Sequence, residues 1–293
     1  MAPLPAPPSA AAPASRGAAP IVRLLAALLL VLLAATTAGL GAAADEPALP
    51  DGWALTRDTG ERPLPAPDAA IVVDNRYGDV RVRVHPDVTV SWLGMRQGPI
   101  DDPLGLVVRV VDASDAGTGS PLTITVERPA GLDAAALDGR RLDLTLFLPP
   151  TAPLRVTTDD GLIQVRSLRA PLVARSTSGK LALRLGGPVD AATVDGPIDL
   201  RLTTRQWSTP IRVETERAPI DLHLTPGTHA NLVAETRGSI TTDFSIDIER
   251  LDRDRHKRAV AVLGAGTAQL TLRSTNGAIR LVRRPHPPRS VTP

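Results

Sequence analysis

From Leu154 onward the chain alternates apolar and polar residues in short runs, and the runs repeat. LRVTTDDGLIQVR, VARSTSGKLALRL, AATVDGPIDLRL and VETERAPIDLHL follow one another up to Leu224. Each has a few extended residues, a Thr or Ser, a turn ending at Gly161, Gly179, Gly196 or Ala218, and a second alternating run. A fifth copy, VAETRGSITTDF, carries Gly238. Two outliers stand apart: VDNRYGDVRVRV, ending at Val84, and RSTNGAIRLV, ending at Val282. Two residues past each turn come Val80, Ile163, Leu181, Ile198, Ile220, Ile240 and Ile279. Four past it come Val82, Val165, Leu183, Leu200, Leu222, Thr242 and Leu281. The residue between is usually polar, as at Arg81, Gln164, Asp199, Asp221, Thr241 and Arg280. A period of two puts the aliphatics on one face and the polar residues on the other, which predicts half-buried strands.

The turn slots from Gly161 to Gly277 are spaced 18, 17, 22, 20 and 39 residues apart. A period near twenty marks a stacked array, the last interval being two periods or one period with an insertion. Thr158, Ser176, Thr193, Thr215 and Ser274 lie three residues before the slot, and Thr236 is displaced by one in the shorter fifth copy. Pairs such as Asp160-Gly161, Ser178-Gly179, Asp195-Gly196 and Asn276-Gly277 are strong turn formers. A tight hairpin and an antiparallel meander would use the same pairs, but the regular period favours coils stacked in parallel. One coil cannot stand alone. Its few inward aliphatics contribute about 1.5–3 kcal/mol each, whereas ordering the backbone costs about 1–2 kcal/mol for every residue. Stability therefore belongs to the stack.

Elsewhere, strands are expected at Val88–Leu93, Leu106–Val111, Leu122–Glu127 and Leu142–Leu148, separated by Gly-, Asp-, Ser- and Pro-rich loops. GLDAAALDG at 131–139 is a passable helical turn, and strong helix signals are otherwise missing after residue 45. The fold class is all-β. After Phe244 the pattern breaks, and alternating acids and bases over Glu249–Arg258 followed by AVAVL read as a protruding arm or hairpin with a solvated tip.

The N-terminal 20 residues are patternless Ala and Pro. Arg16 and Arg23 then precede an uncharged run from Leu24 to Ala44. Its core has the length of a signal-peptide apolar region, and Ala42-Ala43-Ala44 offers small residues at a cleavage site. The 21-residue run is also long enough to span a bilayer. Export is expected in either case, to the periplasm, the cell surface or the medium. Removal near Ala44 is favoured over a retained anchor, and membrane contact is expected only through 24–44 if the leader stays. The predicted organisation is a leader at 1–44, a linker or extended lead-in at 45–67, a repeat domain at 68–284 and a disordered tail at 285–293.

Composition sharpens this picture in two ways. There is no cysteine, so disulfides, thiolate metal sites and cysteine nucleophiles are excluded. The isoelectric point is near 9.6, but both leader arginines fall in a segment without acids, and the remaining 31 basic and 31 acidic groups balance. Nucleic acid is therefore not an expected partner.

Candidate chemistry is sparse. The five histidines show no metal-ligand spacing, and Gly264-Ala265-Gly266 lacks the strand–loop–helix context of a phosphate loop. Neither a cofactor nor a metal site is expected. Asp199 and Asp221 share a slot in adjacent copies, and strands about 4.8 Å apart would make them neighbours, as in solenoid enzymes that cleave acidic sugars. Pairing with Arg184 and Arg201 on a solvated face is the plainer reading. Arg166, Arg184 and Arg201 share another slot, which His223 takes in the next copy. They form either a solubilising charge ladder or a contact for an acidic polymer or lipid headgroup. Trp92 and Trp207, with Trp53, mark either plugs at the ends of the array or a surface for glycan or protein.

The Thr/Ser-x-x-Gly-x-Ile-x-Leu phrase, the lead-in VDNRYGDVRV, LTLFLPPTAPLRVTTDDG and SITTDFSI with GAGTAQLTLRSTNGAIRL together resemble the DUF4097-type family of bacterial adhesin proteins. The resemblance covers residues 68 to 283. It implies a single-stranded parallel β-solenoid, right-handed and β-helix-like, without catalytic residues. Ala218, where glycine is usual, departs from that pattern, as does the loose 85–150 section. The expected function is a non-enzymatic cell-envelope or surface scaffold for adhesion or protein interaction, with an envelope protein or polysaccharide as partner. A carbohydrate-active β-helix using Asp199 and Asp221 is the alternative, and a membrane-tethered envelope-stress sensor would require an uncleaved leader.

Overall fold

In the computed structural model the alternating runs become strands, and nearly every repeat splits into two of them. The structure describes residues 49–100, 105–112, 120–130, 137–251 and 256–283. The leader, the tail and most of the 131–139 turn therefore lie outside the described residues. Residues 50–293 belong to one unit.

In chain order the first strands are β1 (Trp53–Pro63), β2 (Ile71–Asp74), β3 (Val80–Val84), β4 (Thr89–Pro99), β5 (Val107–Val111), β6 (Leu122–Glu127) and β7 (Arg141–Leu148). The repeats supply β8 (Leu154–Thr157), β9 (Ile163–Arg166), β10 (Leu172–Ser176), β11 (Leu181–Leu185), β12 (Val189–Thr193), β13 (Ile198–Leu202), β14 (Ile211–Thr215) and β15 (Ile220–Leu224). The last group is β16 (Ala230–Thr236), β17 (Ile240–Thr242), β18 (Asp247–Arg250), β19 (Lys257–Leu263), β20 (Ala268–Ser274) and β21 (Ile279–Arg283). The strands expected across 85–150 form with edges shifted by a residue, except that β4 runs on to Pro99. An eleven-residue strand, β1, occupies much of the stretch read as a linker or lead-in.

Two large sheets result. One has ten strands in the order β1-β4-β7-β3-β9-β11-β13-β15-β21-β17. The other has eleven, in the order β18-β19-β16-β20-β14-β12-β10-β8-β2-β6-β5. From β8 to β15 the chain alternates between them, one strand in each per repeat, and the neighbours within a sheet run parallel. Among the described residues neither sheet closes on itself. Antiparallel pairing is confined to the ends, where β1 and β4 join β7, β5 joins β6, and the β18–β19 hairpin joins β16.

Register follows the repeat. Leu181 pairs with Ile163 and Ile198, and Ile198 with Ile220. On the other sheet Leu172 pairs with Leu154 and Val189. These side chains are almost fully buried and belong to one continuous cluster fed by both sheets. The physical reason is the alternation itself: a slip of one residue would send each aliphatic column into water.

Stacking order departs from chain order near the C-terminus. The last copy does not stack beyond the fifth but lies between the fourth and the fifth. β20 pairs with β14 on one side and β16 on the other, and β21 pairs with β15 and β17. The seven-residue β20 carries four buried inward residues, Ala268, Leu270, Leu272 and Ser274, and is covered on both flanks. β17 has only three residues, none of them fully buried, and suits a sheet edge. The opposite end repeats the device, with β6 and β7 outside β2 and β3. The charged stretch after Phe244 is a hairpin, as expected, but it continues the eleven-stranded sheet rather than protruding; Glu249 pairs with Arg258 and Arg250 with Lys257.

Candidate functional surface

The turns are built before any surface is. At three of them the buried hydroxyl three residues upstream accepts from the slot amide: Gly179 N donates to Ser176 Oγ (2.9 Å), Gly196 N to Thr193 Oγ1 (2.9 Å) and Gly277 N to Ser274 Oγ (2.8 Å). The hydroxyls in turn donate to carbonyls of the neighbouring coil, Ser176 to Asp159 O and Thr193 to Thr177 O. Asn75, fully buried, takes this slot in the first outlier, donating from Nδ2 to Leu142 O at 2.8 Å. The Thr/Ser column is thus a structural ladder whose polar groups find partners without water.

With the turns fixed, outward residues line up across the sheets. On the ten-stranded sheet Arg184 pairs in register with Arg166 and Arg201, and Arg201 with His223. Arg83, at the next position of β3, continues the row beside Arg166, and Phe147 of β7 pairs with Arg83. The sequence reading missed both. Arg83 was findable, because it stands five residues past Gly78 as Arg166 does past Gly161. Phe147 had no such signal, since β7 follows no glycine slot.

The row is electrically uneven. Arg201 donates to both oxygens of Asp199, at 2.9 and 3.1 Å, and this raises its pKa further. Asp199 also lies 3.5 Å from His223 Nε2. Arg83 is half-buried and donates to Gln164 Oε1 at 2.8 Å; burial first, then repulsion from Arg166 and Arg81, lowers its pKa. Arg166 and Arg184 are exposed, and no ion pair reaches either among the described residues.

Asp199 and Asp221 do face each other in register. Asp199 is held by Arg201 and Asp221 by Arg280 (2.9 Å) rather than by Arg184. Both lie on the open outer face, partly exposed. Trp92 and Trp207 are buried, at 8% and 9% exposure, so neither ring offers a stacking face. Trp207 donates to Gln269 O, and Trp92 packs beneath β1 against Gly60.

The eleven-stranded sheet bears a groove of about 760 Å³. Along its floor the register runs Arg175, Ala192, Glu214, Arg273, Glu235. Its charges largely satisfy one another: Arg175 pairs with Asp190, while Glu235 takes Arg273 and Arg258. Among the described residues no group of three or more His, Asp or Glu converges on a point.

No family model matches the chain, and no curated protein does. Solved structures give remote likenesses. A "putative cell adhesion protein" from Clostridium sporogenes ATCC 15579 matches with TM-score 0.42 and 9% identity, covering 79% of this chain and 100% of that one. A "putative adhesin" from Bacteroides fragilis NCTC 9343 matches with TM-score 0.31 and 11% identity, covering 78% and 97%. At these scores the likeness carries no argument, and function has to be argued from the surface itself.

Proposed function

We propose that this chain is a DUF4097-type exported protein of the cell envelope or surface, without enzymatic activity, whose parallel β-solenoid serves as a scaffold for adhesion or protein interaction. The observation that carries this reading is the in-register alignment of outward side chains on successive rungs of both sheets. Such a surface suits a long partner more than a small substrate, because the same chemistry recurs at each rung instead of converging in one place. The leader at 1–44 supports export, and its removal near Ala44 would free the repeat domain.

The carbohydrate-cleaving reading draws on the Asp199–Asp221 register. Two features weigh against it: each carboxylate has an arginine partner, and the open sheet face lacks the enclosure that raises the pKa of a general acid. One experiment addresses both readings. Intact cells making the full chain are treated with a membrane-impermeant amine label, and the purified protein is incubated with polyuronides. Labelled protein and no new reducing ends are expected. Protection of the protein inside the cytoplasm, or turnover abolished by Asp199→Asn, would overturn the proposal.

A further inference from the structure

Across the outer face of the ten-stranded sheet the charge balance changes from rung to rung. On β13, Arg201 is neutralised by Asp199, and on the next coils Asp221 is met by Arg280. Moving the other way, the residue two positions before the arginine is Ala182 on β11 and Gln164 on β9. Neither supplies a counter-charge. Arg184, Arg166 and Arg83 therefore form three successive rungs of positive charge, with side chains about 4.8 Å apart along the stack. Like charges so close cost free energy unless an anion lies across them.

Beyond Arg83 the same row reaches an aromatic ring, with Ser91 of β4 and Glu61 of β1 following it. Phe147 points outward, as the buried–half-buried alternation of β7 shows, and it stays outside the core cluster. It pairs in register with Arg83. An outward, half-buried ring beside a line of guanidinium groups matches a ligand with flat apolar ring faces and regularly spaced acidic groups. A guanidinium binds a carboxylate through two parallel hydrogen bonds. The ring stacks on the C–H face of a sugar.

We infer that the Phe147–Arg83–Arg166–Arg184 row binds a linear acidic polysaccharide of the polyuronate class, laid along the stack with one carboxylate per sugar near each arginine. The inference rests on the scaffold reading above and gives that scaffold its partner. Charge alone would equally admit a phosphate polymer or an anionic membrane; the outward ring and the rung-by-rung spacing favour the sugar chain.

The test uses the purified full chain with polygalacturonate as probe, by calorimetry at fixed salt, with reducing ends measured in the same samples. Binding is expected to polygalacturonate and to disappear with its methyl ester. Arg166→Gln with Arg184→Gln should weaken it about tenfold or more, the loss expected for two charge-assisted contacts. Phe147→Ser should weaken binding to the polymer but leave unchanged the response to inorganic polyphosphate. Because Arg166 and Arg184 are exposed and unpaired, and their mutual repulsion is relieved, the double variant should melt no lower than the wild type.

Wild-type affinity in the double variant, equal affinity for the methyl ester, or tighter binding to polyphosphate or to phosphatidylglycerol vesicles would each overturn the inference. Absence of binding without turnover defeats this inference alone, whereas release of reducing ends defeats the non-enzymatic reading. The two failures are thus distinguishable.

Discussion

A single missing methyl group sets the spacing of the coils. A Cβ built on Gly179 would lie 2.0 Å from the carbonyl oxygen of Gly161, and one on Gly196 would lie 2.0 Å from that of Gly179. The obstacle is backbone of the coil below, which cannot rotate away as a side-chain end could. Ala218 is the informative exception. There the slot amide reaches Thr215 Oγ1 at 3.3 Å, longer than the 2.8–2.9 Å of the glycine turns, so the corner has opened to admit the methyl. Gly179→Ala should accordingly cost about 1–3 kcal/mol through overpacking, while Ala218→Gly should change stability by no more than about 1 kcal/mol. Urea denaturation of both variants checks this; equal effects would show that the glycines serve only turn conformation. The glycine column was legible in the sequence. Its cause, a carbonyl from another coil, was not.

Within an element, the depth of each aliphatic depends on how many rungs cover it. Leu200 of β13 is fully buried, with Leu183 and Leu222 as register neighbours on either side. Ile240 holds the first inward position of the edge strand β17, where β13 has Ile198, and is only half-buried. Leu200→Ala should cost about 2–5 kcal/mol, and Ile240→Ala about 1–2 kcal/mol. Comparable costs at the two sites, read from denaturant midpoints, would mean that β17 is covered by something further. Element edges show the same limit of sequence reading. β6 and β7 were expected as strands, but not as a coil of the stack, because the loop between them replaces the Thr/Ser-x-x-Gly turn. The outward Phe147 stayed hidden with them.

At the scale of the molecule, coils are not stacked in chain order at either end. The coil nearest the C-terminus, β20 and β21, is wedged between β14–β15 and β16–β17. Ending the chain at Leu263 should therefore do more than trim a terminus. It removes the shared neighbour of two coils and leaves β16–β19 without their parallel partner. Limited proteolysis should find β16 (Ala230–Thr236) protected in the full chain and rapidly cut in the truncated one; continued protection would refute the wedged arrangement. The sequence by itself determined the all-β class, the inward columns and the alignment of Arg166, Arg184 and Arg201, because these depend on local alternation and a fixed period. Only the tertiary structure decided the order of the coils and which charges remain unmet. Strand order is settled by which edges best cover one another's apolar faces and open hydrogen bonds, and that competition joins residues far apart in the chain.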